Sequence, residues 1–203
     1  MKKDVMYSIR KYRETDKEQL RFICKETAWD SYKTDPNKLE SVPILYNDYF
    51  TEQEPEYVFV IANQDDVAKG YIICSADYEK FVRLMTTEYT ERLMKVAPAK
   101  KVLLDGFLPC LEKIKDRPVH FHMDMLPECQ RKGLGTKLIY TLCAALKQDG
   151  YTNLSACSVS RSAASYKLIM KLGFEEICDY GGDCVSANIT FDKIMDRLEE
   201  IAL

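Results

Sequence analysis

Two stretches of the chain carry residue types that do chemistry. The first runs His120-Phe121-His122-Met123-Asp124-Met125-Leu126-Pro127-Glu128-Cys129-Gln130-Arg131-Lys132-Gly133-Leu134-Gly135-Thr136. Its front half places two imidazoles and a carboxylate at alternate positions. In a strand, His120, His122 and Asp124 then share one face and Met123 and Met125 the other; a bulge would exchange the faces beyond it. His122 and Asp124 are groups that can bind or deprotonate an amine. If the same face met a helix instead, Asp124 would be a hydrogen-bonded structural carboxylate. His120, nearer the strand's start, reads as structural.

The back half is Gln130-x-x-Gly133-x-Gly135, a tight turn opening an amphipathic helix. Glycine reaches backbone conformations that a Cβ hinders, so the turn's N–H groups can converge at the helix N-terminus. There the helix dipole also favours an anion, and Arg131 and Lys132 add positive charge. The chemistry suits a phosphate or pyrophosphate; the plainer reading is a strand-turn-helix whose glycines serve geometry alone. The dinucleotide pattern G-x-G-x-x-G fails for want of a third glycine, and the Walker pattern G-x-x-x-x-G-K-[ST] fails as well. The second stretch is Ser162-Ala-Ala-Ser-Tyr-Lys-Leu-Ile-Met-Lys-Leu-Gly-Phe174, which reads as a helix closed by Gly173.

The elements that must position these groups follow from periodicity and punctuation. A strand over Tyr7 to Tyr12 leads to a helix start with Thr15 as cap and Glu18 three positions on, running to about Ala28. A second helix is expected over Leu39 to Phe50. The β-branched and aromatic runs at 57–62 and 67–74, joined by Asn63-Gln64-Asp65-Asp66, read as an antiparallel hairpin. Lys80 to Val96 reads as a helix ended by Pro98, with a short helix over Phe107 to Lys115. A strand covers Val119 to Leu126 and a strong helix Thr136 to Gln148. Strands at Asn153 to Val159, Glu175 to Cys178 and Ser186 to Phe191 follow, with the Ser162 to Lys171 helix after the first of them and a last helix at the end. The order is β-α-α-β-β, a helical insertion at about 80–118, then β-α-β-α-β-β. That is one α/β (α+β) domain with a mixed sheet, and the insertion is too long for an idle hairpin loop.

The glycine turn, preceded by Pro127, closely resembles the acetyl-CoA pyrophosphate loop of GNAT superfamily N-acetyltransferases, Q/R-x-x-G-x-G/A. Leu168, Lys171, Gly173 and Phe174 resemble that family's later helix, and Ile9-Arg10 through Glu14-x-Asp16 its first strand and helix start. The likeness covers nearly the whole chain outside the insertion. The run from His122 to Gly133 is also similar to the acetyltransferase-like domain of O-GlcNAc hydrolases and its free-standing bacterial relatives. The family resemblance implies a central, mostly antiparallel sheet flanked by helices. It also implies direct acetyl transfer from acetyl-CoA to an acceptor amine of a small molecule or protein. By the same resemblance, Met125, Leu126, Gln130, Arg131, Lys132, Gly133, Leu134, Gly135 and Thr136 hold the cofactor, with Ser162 and Ser165. Met125 acts through its backbone, whose N–H a bulge would turn toward the thioester carbonyl. Asp124 and His122 are the candidate bases.

One position departs from the family. Ile169 stands where a tyrosine usually protonates the departing thiolate, and it has no proton to give. Tyr166, one turn earlier on nearly the same face, is the substitute candidate; otherwise Ser165 or water serves. The departure keeps open a non-catalytic reading, an acetyl-CoA-binding sensor or partner-binding module. The insertion is expected to cover the acceptor entrance, or else to be a packing appendage or dimer contact. Trp29, Tyr32, Tyr46 and Phe107 are aromatic candidates for the acceptor pocket.

Composition bounds the rest. The chain has 203 residues and a formal net charge of -3, which builds no basic field for nucleic acid. No apolar run approaches the length that spans a bilayer, and the N-terminal residues do not read as a secretory signal, so a cytoplasmic protein, monomer or homodimer, is expected. Eight cysteines without a C-x-x-C pair, and only two histidines, argue against a zinc site. Reduced thiols packed as small hydrophobes are the expectation.

Overall fold

The computed structural model describes the backbone of residues 6–98 and 101–202, and their side chains except those of 101–104, 106–107 and 197–202. Seven strands form one sheet in the order β1-β2-β3-β4-β5-β7-β6. They are β1 (Ser8–Lys11), β2 (Phe59–Ala62), β3 (Ala68–Ser75), β4 (His120–Met125), β5 (Asn153–Ser160), β6 (Glu175–Asp179) and β7 (Cys184–Thr190). Every pairing is antiparallel except β4 with β5.

Helices cover both faces. The first segment after β1 supplies α1 (Lys17–Thr27), α2 (Asp30–Lys33), α3 (Pro36–Tyr46) and α4 (Asp48–Gln53). The insertion supplies α5 (Tyr78–Thr86), α6 (Glu88–Val96) and α7 (Lys101–Glu112), and α8 (Leu134–Gln148), α9 (Ala164–Lys171) and α10 (Phe191–Ala202) follow. Alternation along the strands sorts the core. Phe59, Ile61, Ile72 and Cys74 pack with Leu138, Leu142 and Leu146 of α8. Val58, Val60, Tyr71 and Ile73 pack on the opposite side with Leu20 and Ile23 of α1, Tyr49 and Phe50 of α4, and Phe81 and Leu93 of the insertion. Because both faces are covered, the central strands read as continuous apolar runs. No helix among the described residues is long and apolar enough to cross a membrane.

Three details differ from the sequence reading, each for a local reason. The first helix follows Asp16, not Thr15, and no side chain caps it: a 3₁₀ turn at Glu14–Asp16 leads in, and the Asp16 carboxylate accepts the Arg13 N–H at 2.9 Å and both Arg10 guanidinium nitrogens at 2.7 and 2.9 Å. The Leu39–Phe50 helix begins earlier, at Pro36, because Asp35 accepts from the N–H groups of Asn37 and Lys38 and proline suits the first helical position. It then breaks at Asn47. The Lys80–Val96 helix is two helices broken at Thr87. There the Thr86 and Thr87 hydroxyls donate to the carbonyls of Val82 and Arg83 at 2.8 Å each, side-chain bonds that compete with the helix ladder.

A buried charge cluster joins the N-terminal helices to the insertion. Asp48 on α4, with no side-chain exposure, pairs with Arg21 of α1 and, at 2.9 Å, with Arg92 of α6. Arg92 also reaches Glu52 at 2.6 Å, and Lys17 reaches Glu52 at 3.1 Å.

Candidate active site

β4 keeps register with β3 along its whole length, from Gly70↔Met125 to Ser75↔His120. Its register with β5 covers only His120↔Ser155 and Phe121↔Ala156. Beyond that the two parallel strands part. The divergence originates in β5, whose register against β7 shifts between Ala156 and Val159 and whose Ser158 has φ 53. The expected bulge in β4 is therefore absent from its pairing with β3; the irregular strand is its neighbour. The consequence for β4 is nevertheless the exposed backbone edge. Leu126 donates its N–H to Lys69 of β3 at 2.9 Å, and N–H groups alternate sides along a strand. Asp124 and His122 therefore also point their N–H groups at β3, whereas those of Met125 and Met123 point into the gap.

The glycine turn lies at the end of this edge. A single 3₁₀ turn at Pro127–Cys129 follows Leu126, and the Gln130 side-chain amide donates to the Met125 carbonyl at 3.2 Å. Arg131 and Gly133 take left-handed conformations, φ 59 and φ 74, immediately before α8. Arg131, Lys132 and Gly133 are exposed and Thr136 half-buried, while Leu134 and Gly135 are buried. Gly135 is needed for close approach: a Cβ there would lie 2.8 Å from Leu168 Cδ2 of α9 and 3.4 Å from the Met125 methyl. Lys132 places its ammonium 5.1 Å from the Tyr7 ring centroid.

A pocket of about 290 Å³ adjoins the gap, lined by residues of β4 and β5 as well as by the helices on either side. Its floor is the expected face of β4. The Asp124 carboxylate accepts from the Tyr71 hydroxyl at 2.6 Å and lies 3.0 Å from His122 Nε2. Tyr71 faces Asp124 across the β3–β4 ladder. Burial disfavours a charged His122, but the charge and hydrogen bond of Asp124 outweigh it and raise the imidazole above its ordinary value. Burial likewise opposes the Asp124 carboxylate, and His122 overcomes it with help from Tyr71 and Thr27, so the carboxyl sits below its ordinary value. His122 keeps 38% of its side chain accessible and stacks under Tyr46 at 5.7 Å between centroids. A pair held in this way can take a proton from a group in the pocket.

His120 plays no such part. It is buried with Nδ1 on the Pro118 carbonyl at 2.9 Å and edge-on to Phe81 at 4.8 Å. Burial pushes its pKa down to about 4, and its Nε2 has no partner among the described residues.

Trp29, Tyr32 and Tyr46 line the pocket, as do Ser158, Ser160 and Ser165 toward α9. Phe107 lies outside the residues whose side chains are described. Ser162 is not among the lining residues but neighbours one of them: its hydroxyl is 2.7 Å from that of Ser160, and its N–H is held by Asp183 at 3.1 Å. Tyr166 is not brought to this site. Ser165 and Ile169, one turn apart, take the pocket-facing positions on α9, while the Tyr166 hydroxyl donates to Glu176 of β6 at 2.6 Å. Among the described lining residues the acceptor side comes from α1 to α4, not from α5 to α7. Sequence reasoning missed Tyr71, whose role arises from strand pairing, and the Ser160–Asp183 contact, which joins β5 to the loop before β7.

The profile of the acetyltransferase (GNAT) family matches residues 21–174. The chain belongs to the GNAT acetyltransferase family. Solved structures of similar fold include SsHAT, at 22% identity and TM-score 0.76 over 91% of this chain and 98% of that one. Another is yncA of Salmonella typhimurium, solved with acetyl-CoA, at 17% identity and TM-score 0.55 over 92% and 95%. A third is a phosphinothricin acetyltransferase of Sinorhizobium meliloti, also solved with acetyl-CoA, at 16% identity and TM-score 0.56 over 91% and 88%. At these identities the likeness is one of fold. No curated protein sequence matches this GNAT chain. The narrower likeness to the O-GlcNAc hydrolase domain rests on its sequence run alone.

Proposed function

We propose that this GNAT chain transfers an acetyl group directly from acetyl-CoA to an acceptor amine. The observation that best supports this is the opening between β4 and β5, with the glycine turn at one end and the His122–Asp124 pair on the neighbouring face. The turn from Gln130 to Thr136 would hold the pyrophosphate, and Met125, Leu126, Ser162 and Ser165 the arm that ends in the thioester. One ammonium proton leaves through His122 to solvent. The freed amine attacks the thioester carbonyl, forming the C–N bond and placing negative charge on the carbonyl oxygen. Backbone N–H groups on the open edge of β4 are suited to stabilise that charge. Collapse breaks the C–S bond, and the second nitrogen proton ends on the CoA sulfur.

The proton for sulfur has no tyrosine of α9 to carry it, since Ile169 faces the pocket and Tyr166 is engaged by Glu176. Ser165, which lines the pocket, or water is the route left. The same observation favours a second reading, an acetyl-CoA-binding sensor without turnover. Calorimetry with acetyl-CoA and with CoA, followed by thiol release over a panel of amines, separates the two. Binding abolished by Gly135→Trp together with thiol release supports the enzyme. Binding without turnover supports the sensor, and no binding of either ligand overturns both.

A further inference from the structure

The acceptor end of the pocket has a narrow chemistry. Trp29 and Tyr32 stand 6.0 Å apart at its mouth, and Tyr46 lies over His122. Val42 and Leu45 complete an apolar wall. Among the described lining residues Asp124 is the one carboxylate, and no lysine, arginine or glutamate joins it. An ammonium group on a short apolar stem suits these surroundings: aromatic faces attract a cation, and the His122–Asp124 pair receives it at the floor.

Other amine classes meet an uncompensated charge. Among the described lining residues the carboxylate of an amino acid would find His122 as the one group able to carry positive charge, and His122 is already paired with Asp124 at 3.0 Å, so the incoming charge would be left without a partner of its own. A polyamine would carry its second ammonium out past the aromatic wall with no second carboxylate among the described lining residues to hold it, and would bury less apolar surface there than a compact apolar body. We infer that the acceptor is a monocationic primary amine with a compact apolar or aromatic body. The inference rests on the acetyl-transfer reading for its purpose, but the aromatic wall and the single carboxylate carry it.

The test is calorimetric, on the full chain saturated with CoA so that no turnover intervenes. The probes are 2-phenylethylamine, spermidine and glutamate, each titrated into wild type, Trp29→Ala and Tyr46→Leu. Trp29 is 68% exposed, so its removal leaves the fold intact if Tyr46→Leu does not. The expected result is that 2-phenylethylamine binds at least about tenfold tighter than the other two. Trp29→Ala should weaken it by about threefold to tenfold while leaving CoA affinity unchanged. Equal or tighter binding of spermidine or glutamate, absence of 2-phenylethylamine binding, or indifference to Trp29→Ala overturns the substrate class. Failure of the acetyl-transfer reading looks different: CoA itself does not bind, or bound 2-phenylethylamine draws no thiol from acetyl-CoA. If CoA does not bind, the same titrations into the free protein decide the substrate class alone.

Discussion

At the scale of single residues, His122 and Asp124 draw their properties from one another. An imidazole buried in this pocket would lose its proton more readily than in water; the adjacent carboxylate reverses that and raises its pKa. As a base, His122 works in its neutral form, so the rate should rise with pH through that raised value. Asp124→Asn removes the charge and leaves burial to act alone. The acidic limb of the kcat profile should then move to lower pH, and kcat at pH 7.5 should fall by about 10- to 100-fold, measured by thiol release. A limb that stays in place in Asp124→Asn would remove His122 from the base role. Tyr166→Phe should leave kcat within about twofold, in keeping with the role of positioned acids, since the hydroxyl it deletes is bonded to Glu176 and not to the pocket.

At the scale of elements, two glycines set how closely β4 and α8 approach their neighbours, with different tolerance. A Cβ at Gly70 would lie 2.7 Å from the Met125 Cβ and 3.1 Å from the Asp124 carbonyl, atoms fixed by the strand. Gly70→Val should therefore destabilise by about 1–3 kcal/mol, read from urea denaturation. It should also weaken acetyl-CoA binding, because Met125 must shift. A Cβ at Gly135 meets the tip of Leu168, which can rotate. Gly135→Ala should cost less than about 1 kcal/mol, whereas Gly135→Trp closes the approach of α9 and abolishes acetyl-CoA binding. Equal stability losses for Gly70→Val and Gly135→Ala would contradict this distinction.

At the scale of the whole molecule, two buried groups couple the fold to its surroundings. Asp48 joins α1 and α6 through Arg21 and Arg92. Removing its charge leaves two guanidinium groups facing one another, and Asp48→Asn should cost about 3 kcal/mol, the lower end for breaking a buried pair, because both arginines keep some exposure. His120 makes stability depend on pH. Its folded pKa of about 4 lies below the ordinary 6.5, so the unfolded chain takes up a proton from about pH 6.5 downward while the folded chain refuses it. Its contribution is fully present above pH 6.5 and is lost as pH falls toward 4, up to about 3 kcal/mol. Thermal melts at pH 7, 6 and 5 should show this decline, flattened in His120→Phe; an identical slope in that variant would remove His120 as its source.

Features that depend on near neighbours along the chain could be read before the fold was known. The glycine turn, its helix, the strand before it and the shared face of His120, His122 and Asp124 are set by local spacing, and so is the β2–β3 hairpin. The break at Thr87 and the start of α1 after Asp16 were harder to read because several residues nearby compete for the same backbone groups. The tertiary structure alone decided the matters that join distant segments. Tyr71 meets Asp124 through strand register, and β5 rather than β4 carries the irregularity that opens the gap. Rotation of α9 gives the pocket Ile169 and Ser165 and sends the Tyr166 hydroxyl to Glu176. Helical spacing fixes which residues share a face, but not which way that face turns; packing of α9 against Gly135 of α8 through Leu168 does that.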